Sequence, residues 1–234
     1  MPTAPPGANL HSLALNGSTG AAAVPASADL NLTGDWTIEA WFREESPTGF
    51  NHEFVGLIYK GDRDLDAEAP YFLEVGYKRL QAGLRTGWTD YAVQFDISQD
   101  VDPKAWHHAA ATYQASTRTL TLYLDGVKVA QRTNARVSRG NASPLEFGRV
   151  GAKSGKYLRG KLDDVRIWNV VRSGAEIAAG YRNQLNSTPP AAPPHGLVGN
   201  WKFDEASGLT AADSVSNHSA GLKGGAAFSS DVHP

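Results

Sequence analysis

"GKLDDVRIWNVVRS", residues 160–173, begins with the alternating pattern of a β-strand and carries two adjacent carboxylates. Successive side chains of a strand point to opposite faces of a sheet. This alternation predicts that Asp163 lies in line with apolar residues such as Ile167 and is partly buried. It places Asp164 on the other face, beside Arg166 and near the surface. Because a buried carboxylate needs a cation or several hydrogen bonds, Asp163 is the more informative of the two.

Similar strand-like runs recur along the chain and are separated by glycine, proline, aspartate and asparagine. Short runs at even spacing are typical of a β-sandwich or barrel, so an all-β fold is predicted. Asp125 and Gly126 lie between two β-rich arms and predict a two-residue type I′ hairpin turn. The runs are HSLALNG, WTIEAWFRE, EFVGLIYKG, YFLEVGY, LQAGLRTG, YAVQFDI, WHHAAATYQ, LTLYLDGVKVAQR, LEFGRVG, LDDVRIWN and LVGNWKFDE.

One short helix is predicted near residues 174–185. Ser173 is the expected N-cap, and Glu176 three residues later completes a capping box. A proline-rich segment follows, and what remains after it is too short for a second domain. We therefore expect a flexible leader at 1–9, one domain at 10–228 with an internal crossover at 187–196 and returning strands at 197–228, and a tail at 229–234.

The composition excludes several kinds of site and partner. The 234 residues include no cysteine, which excludes disulfides, thiolate metal sites and cysteine nucleophiles. The net charge of −2 creates no overall field that would attract nucleic acid. No apolar run approaches the roughly 20 residues that cross a bilayer. We therefore expect neither a nucleic-acid partner nor insertion into a membrane.

Basic residues are concentrated between positions 132 and 161. Eight lysines and arginines occur there against one acidic residue, Glu146. Such a region is either ordinary solvated charge or a surface that meets an anionic glycan.

Trp88 is the clearest candidate for a binding side chain, because it lies in the polar turn "RTGWTDY". Exposed aromatic rings can stack on the apolar faces of sugars. Tyr77 and Tyr91 lie nearby in sequence, and Arg85 and Asp90 could form hydrogen bonds with sugar hydroxyls. Ordinary packing is the alternative for this cluster. The other five tryptophans lie in strand motifs and are predicted to be core residues: Trp36, Trp41, Trp106, Trp168 and Trp201.

The segment "DRDLDAE" places acidic residues at alternate positions, as at the start of an EF-hand calcium loop. Asp62 and Asp64 are therefore candidate metal ligands. The pattern then fails, because Ala67 replaces the turn glycine and Leu73 replaces the final glutamate. An acidic loop in solvent is the alternative.

Catalytic motifs are missing from the sequence. It contains no G-x-S-x-G, H-E-x-x-H or phosphate-binding glycine motif, and no closely spaced carboxylates of a glycosidase strand. His107 and His108 could act as a base or bind a metal, but packed and hydrogen-bonded histidines are favoured. We therefore expect a protein that is not an enzyme.

The order of these motifs resembles that of laminin-G-like, concanavalin-A-like jelly-roll domains in the branch related to pentraxins. The resemblance implies a two-sheet antiparallel sandwich that acts as a non-catalytic recognition or adhesion module for a carbohydrate or glycoconjugate. It also implies an extracellular or cell-surface location within a larger secreted protein. A polysaccharide-cleaving enzyme on the same fold and a structural or protein-binding module are the alternatives. The resemblance rests on LNLTGDWTIEAWFR, LIYKGD, WHHAAATYQASTRTLTLYLDGVKVA, LEFGRVG, GKLDDVRIWNVVRSGAEIAAGY and GLVGNWKFDEASGLTAADSVSNHSAGLKGG.

The same resemblance implies a structural calcium ion. Relatives often hold it with an aspartate that matches Asp163, together with backbone carbonyls from N-terminal segments. Asn16 stands where many relatives have an aspartate, and the acidic pair that usually follows is replaced by Thr19 and Gly20. Calcium prefers six to eight oxygen ligands, many of which can be carbonyls or water. An aspartate satisfied by backbone amides is the alternative.

Overall fold

The computed structural model describes residues 9–151, 155–183, 185 and 193–234. The sequence alternates short β-rich runs with turn residues, and the structure resolves them into strands with one helix. In chain order the elements are β1 (Ser12–Asn16), β2 (Ala21–Val24), β3 (Trp36–Glu44), β4 (Val55–Lys60), β5 (Ala69–Gly76), β6 (Arg79–Thr86), β7 (Thr89–Asp96), β8 (His107–Gln114), β9 (Thr119–Leu124), β10 (Val127–Arg132), β11 (Leu145–Phe147), β12 (Arg159–Trp168), α1 (Gly174–Gly180), β13 (Leu197–Trp201), β14 (Thr210–Ala211), β15 (Ala220–Lys223) and β16 (Ala227–Ser229).

The strands form two eight-stranded sheets in which neighbours pair antiparallel. The first sheet has the order β10-β9-β8-β3-β12-β1-β16, with β13 also paired to β12. The second has the order β14-β15-β2-β11-β4-β5-β6-β7. Their inner faces enclose one large apolar cluster. The predicted two-sheet, antiparallel, all-β sandwich with one short helix is confirmed.

Two of the five tryptophans assigned to the core lie between the sheets. Trp36 and Trp201 are fully buried there. Trp41 and Trp168 are also buried but lie outside that cluster. Their positions in β3 and β12 turn them to the outer face of the first sheet, where the ring of Trp41 stacks on the rings of Tyr181 and His233. Trp106 is half-buried, so the prediction of a core position was wrong for it.

Local turn and cap signals are formed as predicted. Asp125 (φ 50°) and Gly126 (φ 78°) join β9 to β10 with the positive φ angles of a type I′ turn. Ser173 and Glu176 form a reciprocal capping box at the start of α1. The helix is shorter than predicted and ends at Gly180. The buried Arg166 donates to the carbonyl of Gly180, the last residue of the helix, and to the carbonyl of Asn183 beyond it.

The predicted separation of Asp163 from Asp164 was wrong, because β12 contains a β-bulge. The pairing of β12 with β3 shifts between Asp163 and Arg166, and Asp164 has a φ of 44°. The extra residue resets the alternation. Leu162 and Val165 face the core, while both aspartates belong to a buried polar layer outside it. Asp164 is 1% exposed and pairs with Arg166 at the same low exposure, rather than near the surface.

The C-terminal segment completes both sheets. β13 and β16 join the first sheet, and β14 and β15 join the second. The predicted tail at 229–234 is instead packed: Asp231 forms ion pairs with Arg43 and Lys161, and His233 is buried against Trp41. Residues 1–8 of the predicted leader and 187–192 of the predicted crossover lie outside the described residues. No helix within the described ranges is long and apolar enough to cross a membrane.

Candidate functional site

A depression of about 450 Å³ lies on the outer face of the second sheet, at the end of the sheet formed by β5, β6 and β7. We call it the outer-face depression. The antiparallel register of β6 and β7 places alternate polar residues of the two strands side by side. The outer-face depression is lined by Phe54, Arg63, Gln81, Asp90, Ala92, Gln94 and Arg132.

A continuous chain of hydrogen bonds forms the floor of the outer-face depression. Gln94 Nε2 donates to Gln81 Oε1 over 2.7 Å, and Gln81 Nε2 donates to Glu74 Oε2. Arg63 Nη1 donates to the other oxygen of Glu74 over 2.6 Å, and Arg63 Nη2 donates to Asp90. Each polar group is thus held in one orientation by its neighbour. The side chains of Gln94, Gln81, Arg63 and Asp90 therefore line the depression as a preorganised array.

Arg85 and Asp90, two of the predicted ligand-binding residues, face each other across β6 and β7. Arg85 Nε donates to Asp90 Oδ1 over 2.7 Å, and Arg85 Nη1 donates to the carbonyl of Arg63 over 2.7 Å. Arg85 is 7% exposed and so supports the site from below. Asp90 lines the depression, and its role in binding stays a prediction.

The two acidic residues of this chain of hydrogen bonds differ in exposure. Glu74 is fully buried, and burial raises the pKa of its carboxyl group, while Arg63 and Gln81 act to lower it. Both Glu74 oxygens accept hydrogen bonds, one from each of these neighbours. Both oxygens of Asp90 accept from Arg63 or Arg85. Each oxygen of the two carboxylates thus already accepts a hydrogen bond from a neighbouring side chain.

Trp88 lies in the turn between β6 and β7, two residues before Asp90, and is 60% exposed. Its φ of 65° suits the second position of the two-residue turn, and its amide donates to the carbonyl of Ala67. Tyr91, another predicted ligand-binding residue, is partly buried against the core cluster and is not among the residues that line the depression; its hydroxyl accepts from Arg136. The exposure predicted for Trp88 is therefore confirmed.

Tyr77 does not belong to this cluster, although the sequence grouped it with Trp88. It lies in the turn between β5 and β6, at the opposite end of β6. Eight strand residues separate the two turns, which is roughly 25 Å. Tyr77 is exposed and packs edge-on against Phe54.

Three polar contributors to the outer-face depression were missed by the sequence analysis: Arg63, Gln81 and Gln94. Gln81 and Gln94 could have been found by folding the sequence at the Gly87-Trp88 turn, since this pairing brings alternate polar residues of the two strands together. Arg63 comes from a loop, and no local pattern indicates it. Arg132, which the sequence named only as part of the basic region at 132–161, comes from the other sheet.

Asp163, the candidate calcium ligand, is fully buried among groups from both ends of the chain. Burial raises the pKa of its carboxyl group well above the usual range, and the charges of Asp164 and Asp204 act in the same direction. Asn9 Nδ2 donates to Asp163 Oδ2 over 2.9 Å, and His233 Nε2 lies 3.9 Å from the same oxygen. Within the described residues, Asn9 Oδ1 and His233 Nε2 are buried without a hydrogen-bond partner.

Asn16 is not near Asp163. It lies four residues after Ser12 at the far end of β1, where its Cα partner in β12 is Arg159. Its side-chain oxygen accepts from the amides of residues 18, 19 and 20, and its Nδ2 donates to the carbonyl of Gly224. Asn16 therefore organises its own loop, and the prediction that it shares an ion with Asp163 was wrong.

Asp62 and Asp64 lie in a compact loop that is closed by its own hydrogen bonds. Asp62 Oδ1 accepts from the amide of Asp64, and Asp66 Oδ2 accepts from the amide of Asp62. Asp64 is exposed. In the part of the chain that the structure describes, no group of three or more histidine, aspartate or glutamate side chains is arranged to hold a metal ion.

The basic region at 132–161 is dispersed over the molecule. Arg149 pairs with Glu146, and Lys161 pairs with Glu45 and Asp231. Lys156 and Arg159 line a second depression of about 370 Å³, together with the buried Glu44 and its half-buried partner His52. Arg132 lines the outer-face depression. The residues that were predicted to form one rim thus lie at separate places.

The two adjacent histidines have structural roles. His107 Nδ1 lies 2.8 Å from Asp125 Oδ2, and its Nε2 lies 2.9 Å from the carbonyl of Asp102. Burial acts to lower the pKa of His107, but these two acceptors raise it overall. His108 is 1% exposed and packs against Trp41, and burial holds its pKa well below the usual value.

Solved structures with a similar fold come from several kinds of protein. The chain superimposes over 94% of its length on a Bacteroides ovatus protein to which carbohydrate binding is attributed, with a TM-score of 0.68 and 19% identity, and it spans 60% of that protein. The CBM40 module of the Ruminococcus gnavus IT-sialidase, bound to α2,3-sialyllactose, is 14% identical with a TM-score of 0.54; the match covers 71% of this chain and 95% of the module. A heptameric SAP-like pentraxin from Limulus polyphemus is 12% identical with a TM-score of 0.51; that match covers 73% of this chain and 81% of the pentraxin.

No curated protein sequence matches this chain. The identities to the solved structures are low, so these likenesses establish the fold alone. The family model for the concanavalin A-like lectin/glucanases superfamily, in its laminin-G form, matches residues 16–178, which is more than half of the sequence. The chain therefore belongs to the laminin-G group of the concanavalin A-like lectin/glucanases superfamily.

Proposed function

We propose that this chain is a non-catalytic carbohydrate-binding module whose ligand occupies the outer-face depression. The observation that carries the proposal is the hydrogen-bonded array of Gln94, Gln81, Arg63 and Asp90 that lines the depression. The exposed Trp88 lies in the turn two residues before Asp90. Sugar hydroxyls both donate and accept hydrogen bonds, and fixed amides and charged groups match them. An exposed aromatic side chain in the turn that leads into the same strand can supply an apolar surface for a sugar ring.

The relatives support the same class of ligand. Carbohydrate binding is attributed to the Bacteroides ovatus protein, and the Ruminococcus gnavus module is bound to a sialylated sugar. We extend this class of ligand to the present chain as part of the proposal. An extracellular or cell-surface setting within a larger secreted protein is the context that we propose for it.

The proposal of a non-catalytic module rests on the carboxylates of the depression. Glycoside hydrolysis needs two carboxyl groups that reach one glycosidic bond, one as acid and one as base or nucleophile. Glu74 is fully buried beneath Arg63, and Asp90 is held by two guanidinium groups. Substrate would have to displace these ion pairs before either group could act. Release of reducing ends from any polysaccharide in a panel would contradict this part of the proposal.

A glycan-array screen with a Gln94→Ala variant tests carbohydrate binding. Gln94 is exposed, and its loss removes a hydrogen bond from the floor of the depression with little effect on folding. We expect affinity for the bound glycans to fall about threefold to tenfold, the worth of one hydrogen bond. The control is Leu209→Ala, an exposed residue at the opposite edge of the same sheet, which should bind like the wild type. Equal binding by both variants would place the ligand elsewhere.

A protein-binding module is the second candidate, and one observation favours it. The exposed apolar residues Leu65, Trp88 and Val137 lie on three loops that are joined by hydrogen bonds from Trp88 to Ala67 and from Thr86 to the carbonyl of residue 137. Exposed apolar groups of this kind are typical of protein interfaces. A chain that binds no glycan on the array would support this candidate over the first.

We further propose a structural calcium ion beside Asp163. The residues present fit such an ion, because the buried carboxylate lies near other acidic groups and the oxygen of the Asn9 amide has no partner among the described residues. The few acidic ligands would have to be supplemented by amide and backbone oxygens, which calcium accepts. When bound, the ion would neutralise buried negative charge and tie the two ends of the chain to β12.

Thermal melting with calcium and with a chelator tests this ion. We expect excess calcium at 100 times its dissociation constant to stabilise the fold by about 2.7 kcal/mol, and Asp163→Asn to remove this gain. Asp64→Asn is the matched control, because this exposed aspartate should leave the calcium effect unchanged. If Asp64→Asn abolished the calcium effect while Asp163→Asn kept it, the ion would belong to the loop around Asp62.

A further inference from the structure

The outer-face depression carries more positive than negative groups. The guanidinium groups of Arg63 and Arg85 are matched by the carboxylates of Glu74 and Asp90, with which they form ion pairs. Arg132 adds one further positive charge at the rim of the depression, and this charge is not matched by a carboxylate of the described residues. No carboxylate in the described ranges lies within ion-pair distance of Arg132.

Arg132 comes from the other sheet and reaches across the edge of the sandwich. It is the last residue of β10, and its Nη1 donates over 2.9 Å to the carbonyl of Ala92 in β7. The guanidinium carbon also lies 5.7 Å from the centre of the Tyr91 ring. These two contacts fix the orientation of the side chain. They use one of its five N–H donors, so the others remain available at the rim.

The other basic residues of the region do not share this arrangement. Arg149 and Lys161 are neutralised by ion pairs, and Arg136 donates to the hydroxyl of Tyr91. Gln81, which is 3% exposed, forms the buried floor below the rim. A guanidinium fork held above a hydrogen-bonding floor matches two oxygens of a carboxylate or sulfate group on a polar ligand.

We infer that Arg132 is the specificity-determining residue for an acidic carbohydrate, one whose carboxylate or sulfate group is bound at the rim while its hydroxyls contact Gln81 and Gln94. This inference rests on the proposed carbohydrate-binding function and deepens it. It assigns the anionic preference to one residue at one site, in place of the whole region from 132 to 161.

Binding of soluble polysaccharides to the full chain tests the inference. The probes are polygalacturonate for carboxylates, dextran sulfate for sulfates, neutral galactan and dextran as uncharged counterparts, and poly-glutamate as a polyanion without sugars. We expect at least one acidic polysaccharide to bind, and its affinity to fall as salt rises from about 0.05 to about 0.5 M. Arg132→Gln should lower that affinity about tenfold, and Arg132→Lys should lower it less, because lysine keeps the charge but loses the fork.

Arg118→Gln is the matched control. Arg118 is exposed in the turn between β8 and β9, and its replacement makes the same change in net charge away from the depression. Equal losses in Arg118→Gln and Arg132→Gln, or equal binding of poly-glutamate, would reduce the effect to overall charge and overturn the inference. Binding to neutral polysaccharides alone would overturn the inference but leave the proposed function standing. Binding to none of the polysaccharides would overturn both.

Discussion

Replacement of Asp164 by alanine is expected to lower the free energy of unfolding by about 3–5 kcal/mol, because it leaves a buried guanidinium without its counter-charge. Arg166 is 1% exposed and donates to both oxygens of Asp164. It also donates to the carbonyls of Gly180 and Asn183, which join the end of α1 to β12. These carbonyls cannot neutralise the charge. Urea denaturation at constant pH measures the effect.

Comparing Asp164→Asn with Asp164→Ala separates the effect of losing the charge from the effect of an unfavourable backbone conformation on stability. Asp164 has a φ of 44°, a region that asparagine tolerates and alanine does not favour. We expect the asparagine variant to be destabilised less than the alanine variant, since it keeps a hydrogen-bond acceptor for Arg166. The control is Glu53→Ala, which breaks an exposed ion pair with Lys156 and should cost less than about 1 kcal/mol. Equal costs for Asp164→Ala and Glu53→Ala would show that the buried pair contributes little.

The fold was predictable where the sequence contains a local signal. The positive φ angles at Asp125 and Gly126, and the reciprocal bonds of Ser173 and Glu176, follow from residue types within four positions of each other. The bulge at Asp164 has no such signal. The sequence of β12, with its one extra residue, has the pattern of a regular strand, and the bulge is recognised only from the pairing of β12 with β3. This is why alternation assigned the two aspartates to opposite faces.

The candidate site was predictable only in part, for a related reason. Trp88 was identified because a tryptophan in a polar turn has no core to enter, and the structure leaves it exposed. Tyr77 was grouped with it by closeness in sequence, although one full strand separates them. Arg132 reaches the depression from the other sheet. Such a contact depends on how the two sheets are stacked, and no pattern within a single strand encodes it.

The surroundings of Asp163 show the same dependence on tertiary structure. Asn9 and His233 come from opposite ends of the described chain, and Asp204 accepts from the amides of Leu10 and His11. The family resemblance drew attention to Asp163, but the neighbouring loop at Asn16 was the wrong place to look for its partners.

Trp201 and Trp88 lie in opposite environments, one buried and one exposed, so their replacement is expected to have different effects. Trp201 is fully buried, with its ring 5.0 Å from that of Phe147 and its Nε1 donating over 2.7 Å to the carbonyl of His218. Trp201→Ala should therefore cost about 3–5 kcal/mol, the usual range for truncating a buried tryptophan. Since Trp201 lies in β13, a loss of this size measured by urea denaturation would show that the C-terminal segment is energetically part of the sandwich. A change below about 1 kcal/mol would mean that it is only loosely docked.

Trp88→Ala removes the same type of side chain from an exposed position. It is the matched control for the stability of Trp201→Ala, and it also tests the proposed part of Trp88 in glycan binding. The indole is 60% exposed, and alanine accepts the φ of 65° no worse than tryptophan, so unfolding should change by no more than about 0.5 kcal/mol. Loss of a stacking surface should instead lower glycan affinity about tenfold, as judged by the worth of an aromatic contact. We thus expect Trp201→Ala to lower the free energy of unfolding and to keep glycan affinity. We expect Trp88→Ala to lower glycan affinity and to keep the free energy of unfolding. If Trp88→Ala kept full glycan affinity, the sugar would be held by the polar array alone, and the turn would have no part in recognition.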